Sequence, residues 1–266
     1  MTSPDLSYAS VLTQLGGDHP RLAATLLQSE RQRARHTASL LTGARFKGLD
    51  ELLRRLDELG RAFEADSELS RLSFLLGRST ADFETAVEAT LAGYLAVASD
   101  AMRDVMEIEN LLLDFAVAPG HIDDWLTADQ KTLRNKFAPA AVRKRLHTAG
   151  EAPYAATAES LDYQAHSEAL HVGPHQHPVA AKGFSADRGW DGDAGFWEIF
   201  EHARRLQLAI RRVTGTLAPN SAADLLAAQD LGDVQDAWRR TQEMQTIYLS
   251  ILKASVEAQP TDGEDS

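Results

Sequence analysis

Apolar residues recur at intervals of three and four along most of this 266-residue chain, the spacing that lines one face of a helix. β-Branched runs are few, and proline falls near the ends of the periodic stretches. The pattern predicts helices over 5–15, 20–41, 49–65, 68–77, 80–117, 120–126, 138–147, 153–172, 195–215, 220–229 and 231–257, and no strand. Several of these begin with capping residues: Ser3-Pro4, Ser79-Thr80, and Asn220-Ser221 after Pro219. The fold class is therefore all-α, a multi-helix bundle. Residues 173–194 are rich in Gly, Pro and Asp and read as a long loop. Residues 258–266, ending PTDGEDS, read as a disordered tail.

The strongest periodic signal runs from Phe83 to Val117. Phe83, Val87, Leu91, Tyr94, Ala98, Met102, Val105, Leu112 and Ala116 fall on one face at about 100° per residue. Beyond Met102 the other faces turn apolar as well, so a charge in that half enters the protein's centre. Arg103 and Glu107 are four apart and can pair on one face, whereas Glu109 has a phase inside the apolar stripe. Burying such groups is costly unless they are paired, so polar partners on another helix are expected, either in an architectural ion pair or in a site.

A second polar stripe lies in YQAHSEALH, where Tyr163, Ser167 and His171 stand at i, i+4 and i+8. Val172-Gly173-Pro174 stops that helix and leaves His171 at its end, where an imidazole can cap carbonyls or move a proton near neutral pH. His171, His175 and His177 together form H-x3-H-x-H, a weak candidate for a zinc, nickel or iron site. In DRGWDGDAGFWE, Asp187, Asp191, Gly192 and Glu198 match four positions of a calcium loop, but Gly189 fails the third. A solvated acidic turn is the preferred reading there, with Phe196 and Trp197 opening the next core helix.

Composition narrows the chemistry. The absence of cysteine excludes disulfides, thiolate metal sites and cysteine nucleophiles. A net charge of −12 argues against a general basic surface for duplex nucleic acid. The basic runs Arg31–Arg35, Arg143–Arg145 and Arg204–Arg212 read as solvated helix faces. No apolar stretch is long enough to span a membrane, and the N-terminus lacks signal-peptide features, so a cytoplasmic protein without membrane or cofactor is expected.

Three motifs carry a resemblance: Arg103-x3-Glu107 on a central helix, FAPAAVR from Phe137 to Arg143, and Tyr163-x3-Ser167-x3-His171. Over residues 80–178 the chain resembles a group of bacterial helical proteins similar to the HEPN superfamily, which includes metal-independent ribonucleases of toxin–antitoxin and phage-defence systems. The resemblance implies a HEPN-like core over 79–215, flanked by an N-terminal helical layer at 1–78 and C-terminal helices at 216–257. It also implies RNA as a substrate and a homodimer as the assembly. Catalytic HEPN ribonucleases carry R-x4–6-H, and this chain lacks that motif in its His-rich segment. The candidate site is Arg103, Glu107, Tyr163, Ser167 and His171. It belongs either to an RNA-cleaving enzyme or to a non-catalytic interaction module whose polar cluster is architectural and whose protein partner is unknown.

Overall fold

The computed structural model describes residues 8–151 and 189–257, and all regular structure among them is helical. The elements are α1 (Tyr8–Asp18), α2 (Pro20–Leu40), α3 (Ala44–Ala65), α4 (Ser73–Ala92), α5 (Leu95–Val117), α6 (Gly120–Leu126), α7 (Gln130–Lys136), α8 (Pro139–Ala149), α9 (Gly189–Leu217), α10 (Ala222–Ala227) and α11 (Gly232–Glu257). None is long and apolar enough to cross a membrane.

Three expectations are corrected. The helix predicted over 80–117 is two helices: Gly93 takes a left-handed conformation (φ 86°), and the Tyr94 and Gly93 N–H groups bond back to Ala89 and Thr90. That is a Schellman stop, which only glycine adopts without steric cost. The helix predicted over 68–77 is a single 3-10 turn, Ser70–Leu72, leading into α4. Residues 189–194, assigned to the loop, already belong to α9, so the described part of the calcium-like stretch is helical. Acidic residues suit a first helical turn, which accounts for their density there. Helix α7 was not anticipated. It holds one large apolar residue, Leu133, so periodicity gave no signal, although Asp129 caps it by accepting from the Thr132 N–H at 2.7 Å. The predicted 153–172 helix, most of the 173–194 loop and the 258–266 tail lie outside the described residues.

Helices α5, α4, α3, α11 and α9 pack in a closed ring, each against the next, with α8 on the outer side of α5, α2 on α4 and α1 on α2. One buried cluster runs through Leu49–Phe63, Phe83, Met102–Phe115, Phe196–Val213 and Leu231–Ala237, so the N-terminal, central and C-terminal segments share a core. Phe63, Phe83, Phe115 and Phe200 are fully enclosed in it. Where α3 crosses α11 the backbones nearly touch. A Cβ on Gly48 would lie 2.7 Å from the Ala237 Cβ and 2.9 Å from the Asp233 carbonyl oxygen, and Glu51 one turn on accepts from the Val234 N–H at 3.0 Å.

Gly48→Val should therefore cost about 2–4 kcal/mol, because two helices must part to admit it. Gly60→Ala, in the same helix with nothing near its would-be Cβ, should gain up to about 1 kcal/mol. Thermal denaturation of the pair checks both signs.

Candidate functional site

Helix α5 carries charge into the core on two faces. Toward α9, the Glu109 carboxylate is 1% exposed and lies 2.9 Å from His202 Nδ1 and 2.9 Å from Arg205 Nε. His202 and Arg205 are three apart on α9, so one face of that helix presents both. The polar partners expected for Glu109 are thus there. The finding corrects the reading of Arg204–Arg212 as a wholly solvated face, since Arg205 is buried.

The other face points toward α8. Arg103, Glu107, Asn110 and Asp114 follow one another at i, i+4, i+7 and i+11, within about 60° of each other around the axis. Arg103 Nη2 and Glu107 Oε1 are 3.5 Å apart and both side chains are half-buried, so the expected i, i+4 pair is present. Burial pushes the Glu107 carboxyl above the usual range; Arg103 opposes this, Asp104 adds to it, and Arg78 and Arg143 oppose it more weakly. Asn110 is buried, and its side-chain oxygen has no hydrogen-bond partner among the described residues.

Two turns beyond Glu107, Asp114 is 2% exposed. Its Oδ1 accepts from Arg145 Nε at 2.9 Å, and its Oδ2 accepts from Arg145 Nη2 at 2.8 Å and from His121 Nδ1 at 2.9 Å. Arg145 comes from α8, where Pro139 at the first turn and Gly150 at the left-handed C-terminus set the helix limits. His121 sits on α6, which is held by Trp125 stacked on Phe74 at 5.9 Å and tilted against Phe115 at 5.7 Å, and by an Arg71–Asp123 pair. The RKR run is therefore not a uniform solvated face. Arg143 and Arg145 flank the buried Val142–Leu146 seam, and only Lys144 is exposed.

Beside Arg103, the α4 side chain of Arg78 pairs with Asp104 and lies 3.9 Å from Asp82. Burial first, then the nearby Asp104, raises the Asp82 pKa from 3.8 to about 6.

Of the five site residues read from sequence, the structure brings Arg103 and Glu107 together; Tyr163, Ser167 and His171 lie outside the described residues, as do His175 and His177. Among the described residues no group of three His, Asp or Glu is placed to hold a metal ion. Sequence reasoning missed Asp114, His121, Arg145, His202 and Arg205. Extending the Arg103–Glu107 phase by two turns would have reached Asp114; nothing in the local pattern singled out His202.

These features define an all-helical protein with a charge-bearing central helix. Comparison of the chain with protein-family models, with curated proteins and with solved structures found no match in any of the three.

Glu109→Ala strands the buried Arg205 guanidinium and the His202 imidazole and should lower stability by about 3–5 kcal/mol, read by denaturant titration. For Asp82 the folded chain holds the proton more tightly than the unfolded one, so its contribution to stability falls as pH rises from about 4 to about 6. Asp82→Asn should be the more stable protein at pH 7 by about 1–2 kcal/mol after allowance for solvent screening, with the difference vanishing below pH ~4. Melting curves of both proteins across that range test the sign.

Proposed function

We propose that the α5–α8 stripe handles phosphodiesters and that the protein is a HEPN-like helical effector that cleaves RNA without a metal. The observation that carries this reading is the half-buried Arg103–Glu107 pair with Arg143 facing it from α8, a local gathering of guanidinium groups in a chain of net charge −12. Glu107 orients Arg103, and Arg103 and Arg143 supply donors to non-bridging phosphate oxygens. The resemblance adds His171 as the proton-transfer group, with Tyr163 and Ser167 beside it. A base removes the 2′-hydroxyl proton, the 2′-oxygen attacks phosphorus, and the departing 5′-oxygen takes up a proton. The products are a 2′,3′-cyclic phosphate and a 5′-hydroxyl.

A second reading has its own support: the two buried acids of α5, Glu109 and Asp114, each meet two cationic or imidazole partners, an arrangement that architecture alone would use. In that case the protein is a non-catalytic interaction module, homodimeric or bound to another protein.

Cleavage of single-stranded RNA by the purified chain separates the two. Arg103→Gln and His171→Ala should each lower the rate by about a hundredfold or more. A half-exposed i, i+4 pair is worth at most about 1 kcal/mol, so Arg103→Gln should melt within a few degrees of the parent. Cleavage unchanged in both variants would overturn the nuclease reading, and a strict monomer at micromolar concentration would overturn the homodimer.

A further inference from the structure

The Asp114–His121–Arg145 group is more than a fastening needs. A two-pronged arginine already satisfies both carboxylate oxygens of Asp114 and ties α8 to α5. His121 is added to the same carboxylate from a third helix, yet it and Arg145 keep 21% and 30% of their side-chain surface open to solvent. An ionised carboxylate only accepts, so Nδ1–H of His121 donates into that bond and Nε2 is left to interact outward: as imidazolium it donates to a phosphate oxygen, and as the neutral ring it accepts from a phosphate hydroxyl. No protein group among the described residues bonds it. Arg145 spends Nε–H and one Nη2–H on Asp114 and one Nη1–H on the Lys136 carbonyl oxygen, which leaves two of its five N–H donors.

Phe137 lies against all three basic groups. Its ring lies 5.6 Å from the Arg145 guanidinium carbon, 5.4 Å from Lys136 Nζ and 6.0 Å from the His121 ring, which meets it edge to face. Among the described residues the acids paired with these groups are Asp114, buried and shared by two partners, and Asp124, exposed and bound to Lys136 at 2.5 Å. With His121 as imidazolium, its Nε2–H, the spare N–H groups of Arg145 and the Lys136 ammonium lie around one apolar ring and suit a tetrahedral oxyanion.

We propose that His121 and Arg145, braced by Asp114, form a binding site for a phosphate group, either a free phosphate monoester or one phosphate of a single-stranded nucleic-acid backbone. The site lies on the Arg103–Glu107 stripe but two turns away, so a strand along α5 would meet both; phosphate binding itself stands without any cleavage.

The test is the imidazole NMR signal of His121 in the full chain, assigned by its loss in His121→Gln, during titration with inorganic phosphate at constant ionic strength and, separately, with a single-stranded DNA oligonucleotide that cannot be cleaved at a 2′-hydroxyl. The expected result is a saturable shift at millimolar phosphate, weakened at least about fivefold in Arg145→Lys, which keeps the charge but loses the planar fork. Tighter binding of the oligonucleotide assigns the source to nucleic acid; equal binding assigns it to free phosphate esters. A His121 signal that does not move while the chain stays folded, that moves equally with chloride, or that responds identically in Arg145→Lys overturns the site. A chain that binds phosphate but leaves RNA intact would retain this inference and lose the nuclease reading.

Discussion

The constraint on which this fold depends is that its most enclosed helix is not apolar. Glu109 and Asp114 on α5 are both almost fully buried, and a lone buried carboxylate costs several kcal/mol. Each must be met by groups the sequence places elsewhere: His202 and Arg205 stand more than ninety residues beyond Glu109, and Arg145 stands 31 beyond Asp114. An apolar seam between α5 and α9 would tolerate sliding or rotation by a few residues, but a carboxylate that must reach two donors three residues apart does not. The ion pairs therefore set which face of α9 and which edge of α8 turn toward α5, and the apolar cluster fills in around that register.

The same helix divides architecture from accessible chemistry by exposure. Toward α9, Glu109, His202 and Arg205 are all closed off from water. Toward α8 the polar groups are graded: Asp114 is enclosed, while Arg103, Glu107, His121 and Arg145 keep between a fifth and a third of their side-chain surface open. Groups that are partly desolvated but still reachable are the ones whose protonation an environment can tune. Glu107 and Asp82 illustrate it, since burial raises both and neighbouring arginines offset only part of the effect.

Most of the helices were legible from apolar spacing because packing demands it; where packing is silent the reading failed. The apolar phase of α4 carries on into α5, so the spacing hid the break that Gly93 makes in the backbone. Helix α7 buries no residue, leaving only its Asp129 cap as a sign. For the site, Glu109 announced itself as a charge inside an apolar stripe, but its partners did not, because an arginine within RRLQLAIRR looks the same in sequence whether it faces water or a carboxylate. Asp114 was hidden for a related reason. It sits late in α5, next to Phe115, where one acidic residue near a helix end looks ordinary until the stripe from Arg103 is followed to it.

Global charge and local charge act at different ranges on the α5–α8 face. With a net charge of −12 the chain repels a polyanion at long distance, but that field is screened within about 8 Å at physiological ionic strength. Inside that range the guanidinium groups of Arg103, Arg143 and Arg145 stand among carboxylates, Glu107 beside Arg103 and Asp114 holding Arg145. An anion approaching that face would meet oriented N–H donors rather than accumulated positive potential. On the proposed phosphate-binding reading, such a face gains little from electrostatic steering and discriminates by geometry, holding an anion only if its oxygens match the fixed donors.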